Sequence, residues 1–351
     1  KGRGRGVVST CSYEARKSGI HSAMPISEAY RRCKNGVFLP VRMKRYIEVS
    51  KGIMQIIKEY SPDFKQISID EAYIDLTGTK KLLGAPEKTA REIKKRILNH
   101  AGITISIGIA PNYYLAKLAS EAGKPDGLFT IKKGQEEKFL DTLKLKDLWG
   151  VGKKTITKLK ELNITDIVKL RSFPLNILSS MLGKASGKFL YNAVRGIDPG
   201  IIYDDIKNHS ISNETTFSRD TKDPESIKKV LLGISGSIMN KLIDKKQKSK
   251  TVFIKLRYED FSTITAQKTS KYWITSSEVI YKTAMELFTS KWNGFTPIRL
   301  IGLGVSGVVS EDYPDQLELF GEPLDKKKKV EETITKLKKK MKNVLTINWN
   351  H

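Results

Sequence analysis

"QISIDEAYIDL" (66–76) sets Asp70 and Glu71 side by side between two short apolar runs. Neighbouring side chains of a strand point to opposite faces, so one regular strand cannot aim both carboxylates at one place. A hairpin can. A strand over 66–69 that turns at the pair, with a strand over 72–76 returning, projects both groups from the turn. Adjacent carboxylates repel, and a hard cation relieves that repulsion. Magnesium takes one or two protein carboxylates and fills its other positions with water and substrate phosphates. Taken by itself the dipeptide reads better as a solvated hairpin turn, so the surrounding sequence has to decide.

The chain has 351 residues, too many for one ordinary core, which predicts two or more domains. A hydrophobic fraction of 39% with regular periodicity predicts folded domains. The formal net charge of +25 favours a polyanionic partner, because each phosphate contact releases counterions. A well-solvated basic surface would carry the same charge. Cys11 and Cys33 are the only cysteines, which excludes a disulfide framework and fits a reducing compartment. No apolar run approaches the roughly 20 residues of a membrane-spanning helix. The opening "KGRGRGVVST" is basic and glycine-rich, unlike a signal peptide. The expectation is a cytoplasmic protein with no membrane contact.

Along the chain, "GVVSTCSY" (6–13) reads as a strand. A helical turn stopped by Gly19 follows, then a helix within 24–33 that Ser27 could cap. Apolar residues at helical spacing predict a helix over 42–61, and another is expected at about 87–100. "GITISIGIAP" (102–111) alternates isoleucines as a strand does. These elements predict an α+β domain, with helices on one face of a mostly antiparallel sheet, over 1–142. Helical patterns dominate 143–202. Residues 203–210 read as a linker inside a Pro- and Gly-containing stretch. Residues 211–310 give the order β-α-β-β-α-β, a split βαβ arrangement, and 311–351 form a polar tail.

Four stretches occur in order: "STCSYEARKSGIHSAMPISEA" (9–29), "SIDEAYIDLT" (68–77), "ISIGIAPNYYLAKLAS" (105–120) and "KPDG" (124–127). Together they resemble the palm and fingers of the Y-family, or translesion, DNA polymerases, with the bacterial DNA polymerase IV branch nearest. The resemblance extends over essentially the whole chain. It implies a right-hand polymerase: palm and fingers, a helical thumb and a C-terminal little finger. It implies that Asp70 and Glu71 are catalytic and bind two magnesium ions. It also implies that Tyr13 and Arg16 of "SYEARK" and Lys124 of "KPDG" contact the nucleotide triphosphate. Ser12 replaces the usual Asn of the first motif, and Asp126 the usual Asn of the second. The chemistry suits these roles: arginine donates a charge-assisted fork to phosphate, lysine a point charge, tyrosine a hydroxyl. Taken singly, Arg16 and Lys124 would read as solvated cations.

"WGVGKK" (149–154) resembles the turn of a helix-hairpin-helix. Gly150 and Gly152 would let backbone N–H groups approach DNA phosphates, with Lys153 and Lys154 beside them. An ordinary helix–helix turn is the other reading. "QLELF" (316–320) is similar to the peptide that docks on the bacterial sliding clamp, with Gln316, Leu317, Leu319 and Phe320 at the matching positions. The lysines at 326–329 read as a solvated helix face.

The family's first strand carries another metal-binding Asp, followed by aromatic residues that screen the sugar of the incoming nucleotide. "RGRGVVST" aligns well inside a typical member, so that segment is expected upstream of Lys1. Residues 1–351 by themselves are then expected to polymerise poorly or not at all. The function expected is low-fidelity, template-directed addition of dNTPs to a primer end during DNA damage bypass. Its partners are primer–template DNA, dNTP and the clamp, and the chain is expected to be monomeric. The rival reading is a noncatalytic DNA- and clamp-binding protein built on a polymerase scaffold.

Overall fold

The computed structural model describes residues 5–200 and 209–312. They divide into two compact units, one holding the described residues of 1–36 and 206–351, the other those of 37–205.

In the first unit, α1 (Tyr13–Lys17) and α2 (Ile26–Arg32) close a small core of Val8, Ile20, Met24 and Ala29. The expected strand over 6–13 does not form. Only Val7 makes a bridge, to Pro25, flanked by backbone bonds from Ala23 to Val8 and from Val8 to Met24, each 2.8 Å. β-Branched residues favour extended backbone, but a ladder needs a partner as long as itself, and residues 23–26 turn directly into α2. Ser27 is inside α2 and does not cap it. Pro25 takes the N-cap position without a side-chain bond.

The second unit opens with α3 (Met43–Lys58), β1 (Phe64–Gln66) and β2 (Ala72–Ile74), then α4 (Lys80–Leu83) and α5 (Pro86–Ala101). Ile53, Ile56 and Tyr60 pack on Ile93 and Ile97, which joins α3 to α5. Next come β3 (Ile107–Ile109), α6 (Tyr113–Ala122) and β4 (Leu128–Thr130). Here the expectation of a mostly antiparallel sheet is corrected. β1 and β2 form an antiparallel pair, β3 and β4 a separate parallel pair. The alternating run 102–111 contributes only three residues to a ladder, because β4 offers only three in return. At Gly108 an added Cβ would come within 2.1 Å of the Ala116 carbonyl oxygen, so glycine permits β3 to lie directly on α6.

The helices α7 (Glu136–Leu140), α8 (Lys153–Glu161), α9 (Ile167–Arg171), α10 (Leu175–Leu182) and α11 (Lys184–Ala193) complete this unit. One core, including Leu115, Leu140, Leu159, Leu170, Leu178 and Leu190, runs from α6 through α11.

The first unit resumes with β5 (Ser210–Thr221), α12 (Pro224–Asp244), β6 (Gln247–Lys248), β7 (Thr251–Tyr258), β8 (Thr263–Thr269), α13 (Ser277–Lys291), β9 (Ile298–Ser306) and β10 (Val309–Ser310). Its four-stranded sheet has the order β5-β9-β7-β8 and is antiparallel throughout. β6 and β10 pair separately. The order β-α-β-β-α-β of the main elements matches the sequence expectation. Period-two alternation fixes which face is buried. Ile301, Leu303 and Val305 of β9 enter the core with Leu231, Ile238 and Phe288 from the two helices, while Gly302 and Gly304 take the opposite face.

Candidate functional site

The loop 67–71 joins β1 to β2 and carries both carboxylates of the motif. Backbone N–H groups of Ile67 and Ser68 donate to the Glu71 carbonyl at 3.0 and 3.3 Å, closing the loop. The Ser68 hydroxyl donates to Asp70 Oδ1, and the Asp70 N–H returns a bond to Ser68 Oγ at 3.1 Å. Asp70 is exposed and Glu71 half-buried.

Glu71 is not alone. Lys117 Nζ donates to Glu71 Oε1 and, at 2.8 Å, to Glu121 Oε1. Lys124 Nζ reaches the same Glu121 oxygen at 2.7 Å. The loop carboxylate and Lys124 therefore belong to one alternating chain of charges: Glu71, Lys117, Glu121, Lys124. Lys117 is its hub, with 11% of its side chain exposed. Burial lowers the lysine's pKa, but the hydrogen bonds it donates to Glu121 and Glu71 outweigh this and leave the group raised. Burial raises Glu121, yet its bonds from Lys117 and Lys124 hold it below the ordinary carboxylate range.

α6 can present Lys117 and Glu121 together because they are four residues apart on one face. Its first turn is fixed by Asn112, whose Oδ1 accepts from the Leu115 N–H at 2.9 Å and whose Nδ2 donates to the Gly196 carbonyl at 2.8 Å. Beside the charge chain, Tyr73 of β2 meets Tyr113 edge-on at 5.4 Å between centroids. Burial pushes the Tyr73 phenol up to about 12.

The turn "KPDG" after α6 is built by close approach. A Cβ at Gly127 would come within 1.7 Å of the Gly123 carbonyl oxygen. Asp126 has φ +47°, a left-handed conformation that Asp tolerates better than most residues, so Asp in place of Asn keeps the turn. Its carboxylate and carbonyl both accept from Lys94 Nζ.

Tyr13 and Arg16 belong to the other unit, both on α1, with the guanidinium carbon 5.9 Å from the tyrosine ring centroid. Ser12 caps that helix, accepting from the Ala15 N–H at 3.3 Å. The hydroxyl thus satisfies one of the helix's first N–H groups.

In the hairpin before α8, Gly150 has φ +86°, and a Cβ there would strike the Phe189 ring at 2.5 Å. Gly150 therefore serves the packing of the turn. Gly152, Lys153 and Lys154 are exposed at the start of α8, with open space around Gly152. Gln316, Leu317, Leu319 and Phe320 lie outside the described residues.

Sequence reading missed Lys117, although "NYYLAKLAS" displays it. A lysine on a helix signals no partner, and Glu71 is 46 positions away. It also missed the helix-free face of the four-stranded sheet. There Lys255 pairs with Glu214 at 2.8 Å, Arg257 donates to Thr263 at 3.0 Å, Gly302 leaves room for Glu214 and Lys255, and Gly304 leaves room for Phe253 and Ser212.

Among the described residues no group of three or more His, Cys, Asp or Glu side chains is placed to hold a metal ion. Two adjacent hard-oxygen donors on a loop do suit magnesium, which needs few protein ligands when phosphates and water supply the others. No helix among the described residues is long and apolar enough to cross a membrane.

Comparison with known proteins gives a consistent answer. Residues 1–121 match the impB/mucB/samB family, residues 208–319 its C-terminal domain, and residues 146–198 the thumb domain of DNA polymerase-iota. The chain is 46% identical over 343 residues to DNA polymerase IV of Treponema denticola, covering 97% of this chain and 87% of the relative. It is 40% identical over 311 residues to DNA polymerase IV 2 of Methanosarcina mazei, covering 89% and 84%. Among solved structures, a Y-family DNA polymerase chimera of Dbh and Dpo4 superposes with a TM-score of 0.75 at 28% identity, covering 88% of this chain and 90% of that one. An insertion ternary complex of Dbh DNA polymerase gives a TM-score of 0.57 at 27% identity, covering 87% and 88%.

Proposed function

This chain belongs to the Y family of DNA polymerases, in its DNA polymerase IV (DinB) branch, with translesion DNA polymerase activity, and on that premise we propose which of its residues perform the reaction. The observation that carries the proposal is the β1–β2 loop, with Asp70 exposed and Glu71 joined through Lys117 and Glu121 to Lys124. The primer 3′ hydroxyl attacks the α-phosphate of a dNTP: a P–O bond forms, the bond from the α-phosphorus to the oxygen bridging to the β-phosphate breaks, pyrophosphate leaves, and the hydroxyl proton passes to water.

Asp70 and Glu71 would hold magnesium. When bound, the metal supplies positive charge that offsets the charge developing on the reacting phosphate. Lys117 holds the Glu71 carboxylate through Oε1, which leaves Oε2 as the oxygen to offer a metal. Lys124, paired with an exposed carboxylate, is available to exchange Glu121 for triphosphate oxygens. Arg16 and Tyr13 donate to the triphosphate and steady the leaving group.

Low fidelity and lesion bypass follow from the family premise, which also favours the catalytic reading over a noncatalytic scaffold.

DNA contacts are assigned to the exposed start of α8, through Gly152, Lys153 and Lys154, and to the helix-free sheet face around Lys255 and Arg257. Both offer cations and backbone without the shape to read bases, which suits a protein that must accept any template. We assign 1–142 to palm and fingers, 143–202 to the thumb and 211–310 to the little finger. The segment 316–320 is assigned to the sliding clamp, and the protein is assigned to the cytoplasm as a monomer.

Primer extension with magnesium and four dNTPs tests the reading. Template-dependent addition supports it. Addition that continues at the same rate after Asp70→Ala removes it. Deleting 316–320 should abolish stimulation by the clamp and spare unstimulated synthesis, and equal loss of both counts against the clamp assignment.

A further inference from the structure

β5 is interrupted. Its register against β9 holds through Thr216 and resumes only at Thr221, so residues 217–220 bulge out of the ladder. A bulge leaves backbone groups without ladder partners and re-aims the strand. Arg5 fills this one. Its Nη1 donates to the Phe217 carbonyl at 3.3 Å and to Asp220 Oδ1 at 2.5 Å. The Asp220 side chain is only 12% exposed and the Arg5 side chain 25%. Two acceptors on one guanidinium, partly desolvated, make a more specific contact than a surface ion pair. The Arg5 hydrogen bond holds the Asp220 carboxyl below its ordinary range, and Arg299 adds to this. In a chain of net charge +25, a sheltered carboxylate with a bulge carbonyl is a built receptor for one cation.

Arg5 adjoins a small hydrogen-bonded body. The Gly6 carbonyl accepts from the Ile26 N–H at 2.9 Å, Val7 bridges Pro25, and Val8 bonds to Met24. The connection between these paired stretches contains α1, with Tyr13 and Arg16, packed on the core of Val8, Ile20, Met24 and Ala29. A shift of Arg5 must therefore carry α1 with it.

We propose that Arg5 is a positioning residue: docked in the β5 bulge on Phe217 and Asp220, it ties the body that presents Tyr13 and Arg16 to the C-terminal sheet domain. Nucleotide binding then depends on a contact made by the domain that grips DNA. The functional half of this rests on the triphosphate role given above to Tyr13 and Arg16. The contact itself does not.

The test is a charge-exchange cycle in the full chain, comparing Arg5→Ala, Asp220→Ala and the double variant Arg5→Asp with Asp220→Arg. Spin labels at Lys17→Cys and Lys282→Cys, in a Cys11→Ala, Cys33→Ala background, report the distance distribution between α1 and α13. Primer extension reports KM for dNTP and kcat separately. Both single variants should broaden the distribution and raise KM about threefold or more, with kcat within about twofold. The exchange should restore both. A guanidinium that instead acts directly on DNA or nucleotide makes Arg5→Ala harmful, Asp220→Ala silent and the exchange no better than Arg5→Ala, which overturns the proposal. A broadened distribution with unchanged KM overturns the coupling. Equilibrium dNTP affinity, titrated on the same variants bound to primer–template DNA, stands beside KM: the single variants should lose about threefold or more and the exchange should recover it, and equal affinity in all of them overturns the coupling while the distance distribution still decides the contact.

Discussion

Lys117 of α6 donates from Nζ to Oε1 of Glu71 on the β1–β2 loop, 46 positions earlier in the chain. The bond ties the carboxylate motif to the helix that also leads into Lys124. Lys117→Met removes the hub and leaves Glu71 half-buried and unbalanced. Because Glu71 keeps 37% of its side-chain exposure, water offsets part of the loss, and we expect about 1–2 kcal/mol of destabilisation. Primer-extension activity should fall more steeply than stability. Denaturant unfolding and a rate assay on the same preparation check this, and an unchanged rate would deny Lys117 its orienting role.

Gly127→Ala should be among the most damaging single changes near the site. The new methyl group would meet the Gly123 carbonyl at 1.7 Å, which only backbone movement relieves. The expected cost is about 3 kcal/mol or more, read as a lowered midpoint in urea. A midpoint equal to wild type would mean that the turn is looser than described.

Tyr73 makes a pH prediction. Its phenol is raised from the usual 10.0 to about 12 by burial, which disfavours the phenolate in the folded chain. A raised folded pKa contributes stability that is complete below the unfolded value and is lost as pH rises through the folded one. Stability should therefore decline between 10.0 and about 12, and Tyr73→Phe should flatten part of that decline. Unfolding measured across this window decides, and identical slopes for both proteins would contradict the burial argument.

Lys153→Ala with Lys154→Ala should weaken DNA binding without regard to sequence. Every lysine–phosphate pair that the substitutions remove lowers the slope of log affinity against log salt by about one. Anisotropy titrations over a salt series give that slope, and an unchanged slope would remove the start of α8 from the DNA interface.

What sequence made legible depended on the range of the interactions. The order of β5, α12, β7, β8, α13 and β9 follows from long periodic segments whose buried faces repeat. The hairpin around Asp70 was legible because short apolar runs flank it, but its first strand was placed too late: β1 ends at Gln66, and residues 67–69, expected in that strand, belong to the loop that Ile67 and Ser68 close on the Glu71 carbonyl. Short ladders were not. Val7 and Val8 look like strand residues, but only the partner stretch 23–26 decides that one of them bridges. The isoleucines of 102–111 alternate over more residues than β4 can pair. Lys117 and Arg5 were invisible as site residues because each finds its meaning in a partner remote in sequence, Glu71 for one and the β5 bulge for the other.

The most direct measurement is magnesium-dependent primer extension by the protein and its Asp70→Ala variant. The account predicts template-directed addition by the first and a loss of about 100-fold or more in the variant, at unchanged DNA affinity. Addition that continues at the same rate after Asp70→Ala would contradict the assignment of the β1–β2 loop as the catalytic centre.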